Sequence, residues 1–265
     1  MKQVALETFA ELQAQGDENV VDINQFTSKV QAHIIVSQLV GAQYCFKKLP
    51  HIGLQDGKEE QITVGVFMDR ILNDIIYRMT SNPLISMHES FAEKEIFAFD
   101  TRYVANARTI RNYIRSIIED KKKLNDPEAC DIVSLLLADE NYKNIEEIID
   151  DVLVLFIAGS KTVQTTTSNL ICTMLHEPEQ YKKLRETVDP FMSNVADDIM
   201  DKMTMESVEE MEYVKLAYME TMRRDSPAQI SSTSCMTKDM KIGGVSMYAN
   251  EALWVGIQSC HKDPA

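Results

Sequence analysis

The string Ala158-Gly159-Ser160-Lys161-Thr162 sets a glycine three residues ahead of a threonine, in a stretch that otherwise reads as helix. Glycine is the poorest helix former after proline, and it leaves a groove where a flat ligand can approach the backbone. Hydroxyls that bond back to carbonyls can bend a helix at such a point. Close packing of a second helix against the glycine is the simpler structural reading of the same residues. A second candidate is Glu220 with Arg223, spaced so that a carboxylate and a guanidinium meet on one helix face. Most pairs of this kind are surface bridges of little consequence. The five cysteines, Cys45, Cys130, Cys172, Cys235 and Cys260, include no C-x-x-C pair and have no histidine grid beside them. That disfavours both a disulfide framework and a zinc site.

The elements that must position these residues are mostly helical. With 265 residues, 45% of them hydrophobic, the chain is long enough to bury a sizeable core. A net charge of -14 argues against nucleic-acid binding. The longest apolar run, Val152 to Ala158, is far short of a membrane span, and the first residues alternate polar and apolar at helical spacing, so neither a signal peptide nor a membrane anchor is expected. Val4, Phe9 and Leu12 before Gly16 predict a first helix. Asp22 and Gln25 cap a second, in which Phe26, Val30, Ile34 and Ile35 are apolar, and Gly41 ends it. Residues 43 to 58, holding Pro50, Gly53 and Gly57, read as a loop. Val64, Met68, Ile71, Ile75 and Met79 mark a third helix stopped by Ser81-Asn82-Pro83.

From about 101 to 123, the stripe Val104, Ile110, Ile114 and Ile117 faces away from Arg108, Arg111 and Arg115, which read as a solvated basic face. Asn144 with Glu147 caps a run with no proline before Pro178, room for one helix of about 30 residues, roughly 45 Å long. Between 186 and 212 acids dominate, Asp197, Asp198 and Asp201 among them, and predict a solvated acidic surface without calcium-loop spacing. Pro178 starts another helix, and one more covers about 206 to 224. Beyond Pro227, Ile230 to Met236, Met240 to Ile242, a Gly243-Gly244 turn and Ala252 to Ile257 read as short strands.

Taken in order, AGSKTVQTT, HEPEQYKKLRE, YMETMRR and KIGGVSMYANEALWVGIQSCHKDP resemble the central and later part of a cytochrome P-450. The resemblance implies a mainly α fold with a small β region at the C-terminal end, one partial domain over 1–265, helical over 1–225 and β-rich over 226–265. It implies haem, with iron held by a cysteine thiolate, and insertion of one oxygen atom from O₂ into an apolar substrate with electrons from a reductase. Ala158, Gly159 and Thr162 then fall in the oxygen pocket of the long I helix, and Glu220 with Arg223 become the structural K-helix pair, buried together. Members are often anchored to the endoplasmic reticulum; nothing in this sequence assigns a location.

Several positions depart from the family pattern. Lys161 stands where an acid usually precedes the threonine, and an ammonium donates a proton but does not recycle it near neutral pH, so its place in a proton relay is weakened. The axial cysteine normally sits in F-x-x-G-x-x-x-C-x-G. Here Leu253-x-x-Gly256-x-x-x-Cys260 copies only the glycine-to-cysteine spacing, and Cys260 reads as a strand residue rather than a ligand. Cys172 and Cys235 read as small core residues. No arginine occurs from Asp225 to Ala265, although the family usually places one for the haem propionates, near Ser234 here. The expectation is a chain that shows no haem-thiolate activity by itself. The alternative function is a non-catalytic helical binding or interaction protein that keeps the scaffold without haem.

Overall fold

Asp22 accepts the backbone N–H of Gln25 at 3.0 Å and starts helix α1, Ile23–Val40, which Gly41 ends with φ 103°. In the computed structural model residues 6, 10, 20–124, 126, 129–192 and 202–263 are described. The helix expected ahead of Gly16 lies outside them, as do Asp197, Asp198 and Asp201. The chain packs as two compact units, Met1–Lys161 and Thr162–Ala265, each described by itself.

In the first unit a short helix α2, Ala42–Cys45, leads into a hairpin where the sequence reads as a loop. Strands β1, Lys48–Ile52, and β2, Glu59–Thr63, pair antiparallel with Leu49 opposite Ile62 and His51 opposite Glu60. Leu49 and His51 point inward while Lys48 and Pro50 are exposed, so Pro50, which lacks an N–H, sits on the outer pleat of a two-stranded ribbon. Asn106 clasps the end of the hairpin: its side-chain amide donates to Ile52 O at 2.8 Å, and its Oδ1 accepts Ile52 N–H at 2.9 Å. A second small β region, early in the sequence, thus adds to the one expected near the C-terminal end.

Helix α3, Val64–Ser81, follows directly and is stopped at Asn82-Pro83 as expected. Its buried stripe is Val64, Phe67, Met68 and Ile71. Helix α4, Pro83–Met87, and helix α5, Ala98–Leu124, come next. Ile110, Tyr113, Ile114, Ile117 and Ile118 of α5 enter the core. Burial pushes the Tyr113 phenol up to about 12, and its hydroxyl donates to Tyr44 O at 3.0 Å. Helix α6, Ile132–Ala138, contributes Val133, and helix α7, Ile145–His176, contributes Ile148, Ile149, Val152 and Phe156. The basic face of α5 is not left to solvent alone. Arg111 pairs with Glu146 and Asp150, and Arg115 with Glu146, which ties α5 to the first turns of α7.

The second unit takes α7 from Thr162 onward. Helix α8 is Pro178–Val188. The helix expected over 206–224 is broken at Met211, whose buried side chain lies between α9, Met205–Glu210, and α10, Glu212–Arg224. Strands β3, Ser234–Cys235, and β6, Ala252–Leu253, pair antiparallel, as do β4, Met240–Ile242, and β5, Val245–Met247. The β4–β5 turn needs positive φ at both central residues, met by Gly243 at 56° and Gly244 at 84°. The strand expected to reach Ile257 stops earlier, and Ile257–Lys262 is helix α11. Buried apolar side chains here, among the described residues, are few: Met174, Met211, Ala217 and Met236.

Two buried polar clusters fasten the first unit. Arg78 Nε donates to Asp100 Oδ1 at 2.7 Å, Asn82 Nδ2 lies 3.2 Å from Oδ2, and the backbone N–H groups of Ile96 and Phe97 also donate to Oδ2. Asp100 is fully buried, which by itself pushes its carboxyl up; the Arg78 guanidinium, the Phe97 N–H and the Asn82 amide outweigh that and hold it below the ordinary aspartate value. In the other cluster His51 Nε2 meets Asp74 Oδ2 at 2.9 Å, Asn106 Nδ2 donates to the same oxygen at 3.0 Å, and Phe67 packs edge-on against the imidazole. Among the described residues, His51 Nδ1 is the buried side-chain polar atom left without a partner.

Asp100→Asn leaves Arg78 buried without its counter-charge and is expected to cost roughly 3–5 kcal/mol in urea unfolding. Because the folded-state carboxyl is depressed, the stability it contributes is present above the unfolded aspartate value of about 4 and is lost as pH falls through the folded value. Unfolding curves of the wild type and Asp100→Asn should therefore converge as the pH is lowered below about 4. A constant gap at every acid pH would refute the assignment.

Candidate functional site

Asn144 Oδ1 accepts the N–H of Glu146 at 3.0 Å and starts α7, which then runs unbroken for 32 residues. The long helix expected from the proline-free sequence is one helix. From Val152 to Ile157 it is apolar on all sides, yet only one side is covered. Ile148, Ile149, Val152 and Phe156 are core, whereas Val154 is 60% exposed and Leu155 43%. Ala158 continues that open face, and Thr162, the first residue of the second unit, is exposed. Thr166 donates back to Thr162 O at 2.9 Å, the hydroxyl-to-carbonyl bond that the Thr-rich second half allows.

Gly159 serves the packing role. A Cβ placed on it would stand 3.1 Å from Ile35 Cδ1, so the glycine lets α1 approach α7 closely. An open cleft of about 1370 Å³ within the first unit reaches Leu155, Ala158 and Gly159, with Ile35 and Leu39 of α1 also in its wall. Lys161 neither reaches freely into solvent nor lies over Ala158. Its Nζ is 2.5 Å from Asp69 Oδ1 on α3 and 3.2 Å from Ser28 Oγ on α1. Asp69 and Ser28 were not legible as its partners, since no local pattern links positions so far apart in the chain.

Glu220 and Arg223 meet as expected, in a two-pronged pair with Nε–Oε2 2.7 Å and Nη2–Oε1 2.6 Å. Arg223 Nη1 also donates to His261 O at 2.9 Å, on a helix rather than a strand. The expectation that the pair is buried fails, because the side chains are 61% and 49% exposed, Glu220 and Arg223 respectively. The Arg223 guanidinium holds the Glu220 carboxyl below its usual value, and Glu220 in turn raises Arg223.

The cysteines are placed differently from the sequence reading. Cys260 lies on helix α11, not on a strand, and is exposed. Cys172 and Cys235 are exposed rather than core residues, while Cys45 is buried and donates to Ala42 O. Cys130 lines the cleft that reaches Ala158, but Asp126 occupies the place of the glycine in the family's cysteine loop, and Ile132 that of the glycine after it. Among the described residues no group of histidine, cysteine and carboxylate side chains could hold a metal ion. No described helix is long and apolar enough to cross a membrane.

Two substitutions test this geometry. Gly159→Leu forces α1 away from α7 and should destabilise by about 1–3 kcal/mol, whereas Gly159→Ala should be near neutral, because a helix-propensity gain of up to about 1 kcal/mol offsets the displaced Ile35 methyl. Urea midpoints distinguish the two. Glu220→Ala should shift the midpoint only slightly, and less at high salt, as exposed pairs do. A large shift from Glu220→Ala would show that the pair is sheltered after all.

The family profile for Cytochrome P450 matches residues 1–265. Cytochrome P450 71A18 of Arabidopsis thaliana is 26% identical over 180 residues, which cover 64% of this chain and 34% of that protein. Cytochrome P450 3A14 of Cavia porcellus is 24% identical over 251 residues, 92% of this chain and 47% of that one. A crystal structure of the cytochrome P450DA heme domain superimposes with a TM-score of 0.72 at 14% identity, over 99% of this chain and 53% of its own. The chain thus spans from about a third to about half of the lengths of these proteins. With the family profile matching residues 1–265, this chain belongs to the cytochrome P450 family.

Proposed function

We propose that this chain supplies the distal wall of a haem-thiolate monooxygenase acting on an apolar substrate, with electrons delivered by a reductase. The observation that carries the reading is the exposed face of α7 in the first unit, where Val154, Leu155 and Ala158 stand open with no charge among them. A flat, mostly apolar macrocycle needs a wall of that kind, low in charge and with small side chains. The residues described fit that side of the group. They do not supply its thiolate ligand, since none of the five cysteines has the loop context of an axial ligand. Nor does any arginine from Asp225 to Ala265 answer its propionates.

A bound haem-thiolate centre supplies the activation of dioxygen; the protein supplies binding, orientation and proton handling. By its place in the family's pattern Thr162 would supply the hydroxyl that holds a proton, and Ala158 keeps the open face low. Val154 and Leu155 exclude water from its approach. Glu220 and Arg223 fasten α10 to α11 and touch no reacting atom.

Hemin titration of the 265-residue chain tests the wall. Uptake is expected in the wild type and should fall roughly tenfold or more in Ala158→Trp, where a large side chain fills the face. Equal uptake by both proteins overturns the assignment, and no uptake by the wild type favours the non-catalytic helical binding protein. The ferrous–CO spectrum of the same samples is expected to lack a thiolate-type band and to be unchanged in Cys260→Ser. A thiolate band that disappears in Cys260→Ser would show that α11 supplies the ligand.

A further inference from the structure

From Val152 to Ser160 the long helix carries no charge, and Lys161 is the first charged side chain after Asp151. Lys161 follows Ala158 by one turn, a spacing at which side chains on a helix are neighbours. Its flexible four-carbon stem is long enough to lay an ammonium over Ala158. The structure holds it elsewhere. Nζ lies 2.5 Å from Asp69 Oδ1 and donates to Ser28 Oγ at 3.2 Å, while the Ser28 hydroxyl donates to the same Asp69 oxygen at 3.0 Å. The hydroxyl therefore accepts from the ammonium and gives its own proton to the carboxylate. The side chains of Lys161 and Asp69 are 32% and 19% exposed, sheltered enough for their attraction to be screened less than at an open surface.

We propose that Asp69, with Ser28, is a positioning residue that draws the Lys161 ammonium off the open face of α7 and keeps that face uncharged. Asp69 stands on α3 beside the buried Met68, so the packing of α3 fixes the carboxylate, and the carboxylate fixes the lysine. An ammonium committed to Asp69 and Ser28 does not lie over Ala158. The lysine found where the family usually has an acid is then a fastening of α7 to α1 and α3. Its consequence for catalysis rests on the distal-wall reading; the capture of the lysine does not.

Amine reactivity reads the capture directly, without haem. On brief acylation followed by peptide mass spectrometry, Lys161 should react more slowly than Lys58 and Lys123, whose side chains are 79% and 77% exposed. Asp69→Asn should raise the Lys161 rate roughly fivefold relative to those two, and Ser28→Ala by less. Loss of stability alone would not move Lys161 selectively. A thiol at Ala158→Cys reports where the freed ammonium goes, because a nearby cation lowers a thiol's ionisation midpoint. The midpoint should fall when Asp69→Asn is added to Ala158→Cys and recover when Lys161→Met is added as well. The proposal is overturned if wild-type Lys161 acylates as fast as Lys58 and Lys123, or if adding Asp69→Asn leaves the thiol midpoint where it was. Either result leaves the hemin titration to judge the distal wall separately.

Discussion

Charged side chains that helix α3 takes out of water hold its neighbours in place. Asp69 reaches α1 and α7 through Ser28 and Lys161, Asp74 reaches β1 and α5 through His51 and Asn106, and Arg78 reaches the start of α5 through Asp100. Between them the apolar stripe of α3 enters the core. Apolar contact is non-directional and would tolerate α3 sliding or rotating by a residue. Each buried charge tolerates it poorly, because a displaced partner leaves the other uncompensated in a medium of low polarity. The net gain from such pairs over apolar replacements is small, so their effect is on which packing is adopted rather than on how stable it is. The orphaned His51 Nδ1 shows the cost of building a polar cluster inside a core: one acceptor or donor site goes unmet on a buried ring packed against Phe67.

The helices were legible in the sequence because their signals are local. Asp22 and Asn144 cap, Gly41 and Asn82-Pro83 stop, and the apolar residues recur at helical spacing between them. The β1–β2 hairpin was not, since Pro50 argues against a strand unless its missing N–H faces outward, and that depends on which face packs against α3 and α5. The break at Met211 and the helix that carries Cys260 were hidden for a similar reason: both depend on tertiary placement of short segments whose own propensity is weak. At the candidate site the string Ala158 to Thr162 was readable, including the packing role of Gly159. The partners of Lys161 were not, and burial of Glu220 and Arg223 was inferred from the family rather than from any residue around them.

Apolar burial is uneven along the chain. The first unit gathers its core from α1, α3, α5, α6 and the start of α7, with Phe67, Ile118, Ile149 and Phe156 fully buried. Among its described residues the second unit buries three methionines and Ala217 as apolar side chains, while Leu216, Met219, Ile230, Trp254 and Val255 stay exposed. A polypeptide segment with so little apolar surface out of water has little to offset the entropy of ordering it. Its order comes from specific polar contacts instead: Asn169 to Asp225 O, Arg224 to Thr173, Tyr213 to Gln180 and Arg223 to His261 O. Contacts of that kind on exposed side chains each stabilise weakly.

The open face of α7 is informative against that background. Scattered exposed leucines need no explanation, but Val154 and Leu155 beside Ala158 form a continuous uncharged strip in a chain whose net charge is -14. Charge was available to decorate it, and acids crowd the helix immediately upstream at Glu146, Glu147, Asp150 and Asp151. Those acids are in part spoken for by Arg111, Arg115 and Tyr142, so even the charged end of the helix turns its side chains toward protein partners. Lys161 at the other end is bound to Asp69. Charge is thus drawn away from both ends of the strip by named partners, which is what the proposed role of that face as an apolar wall would require.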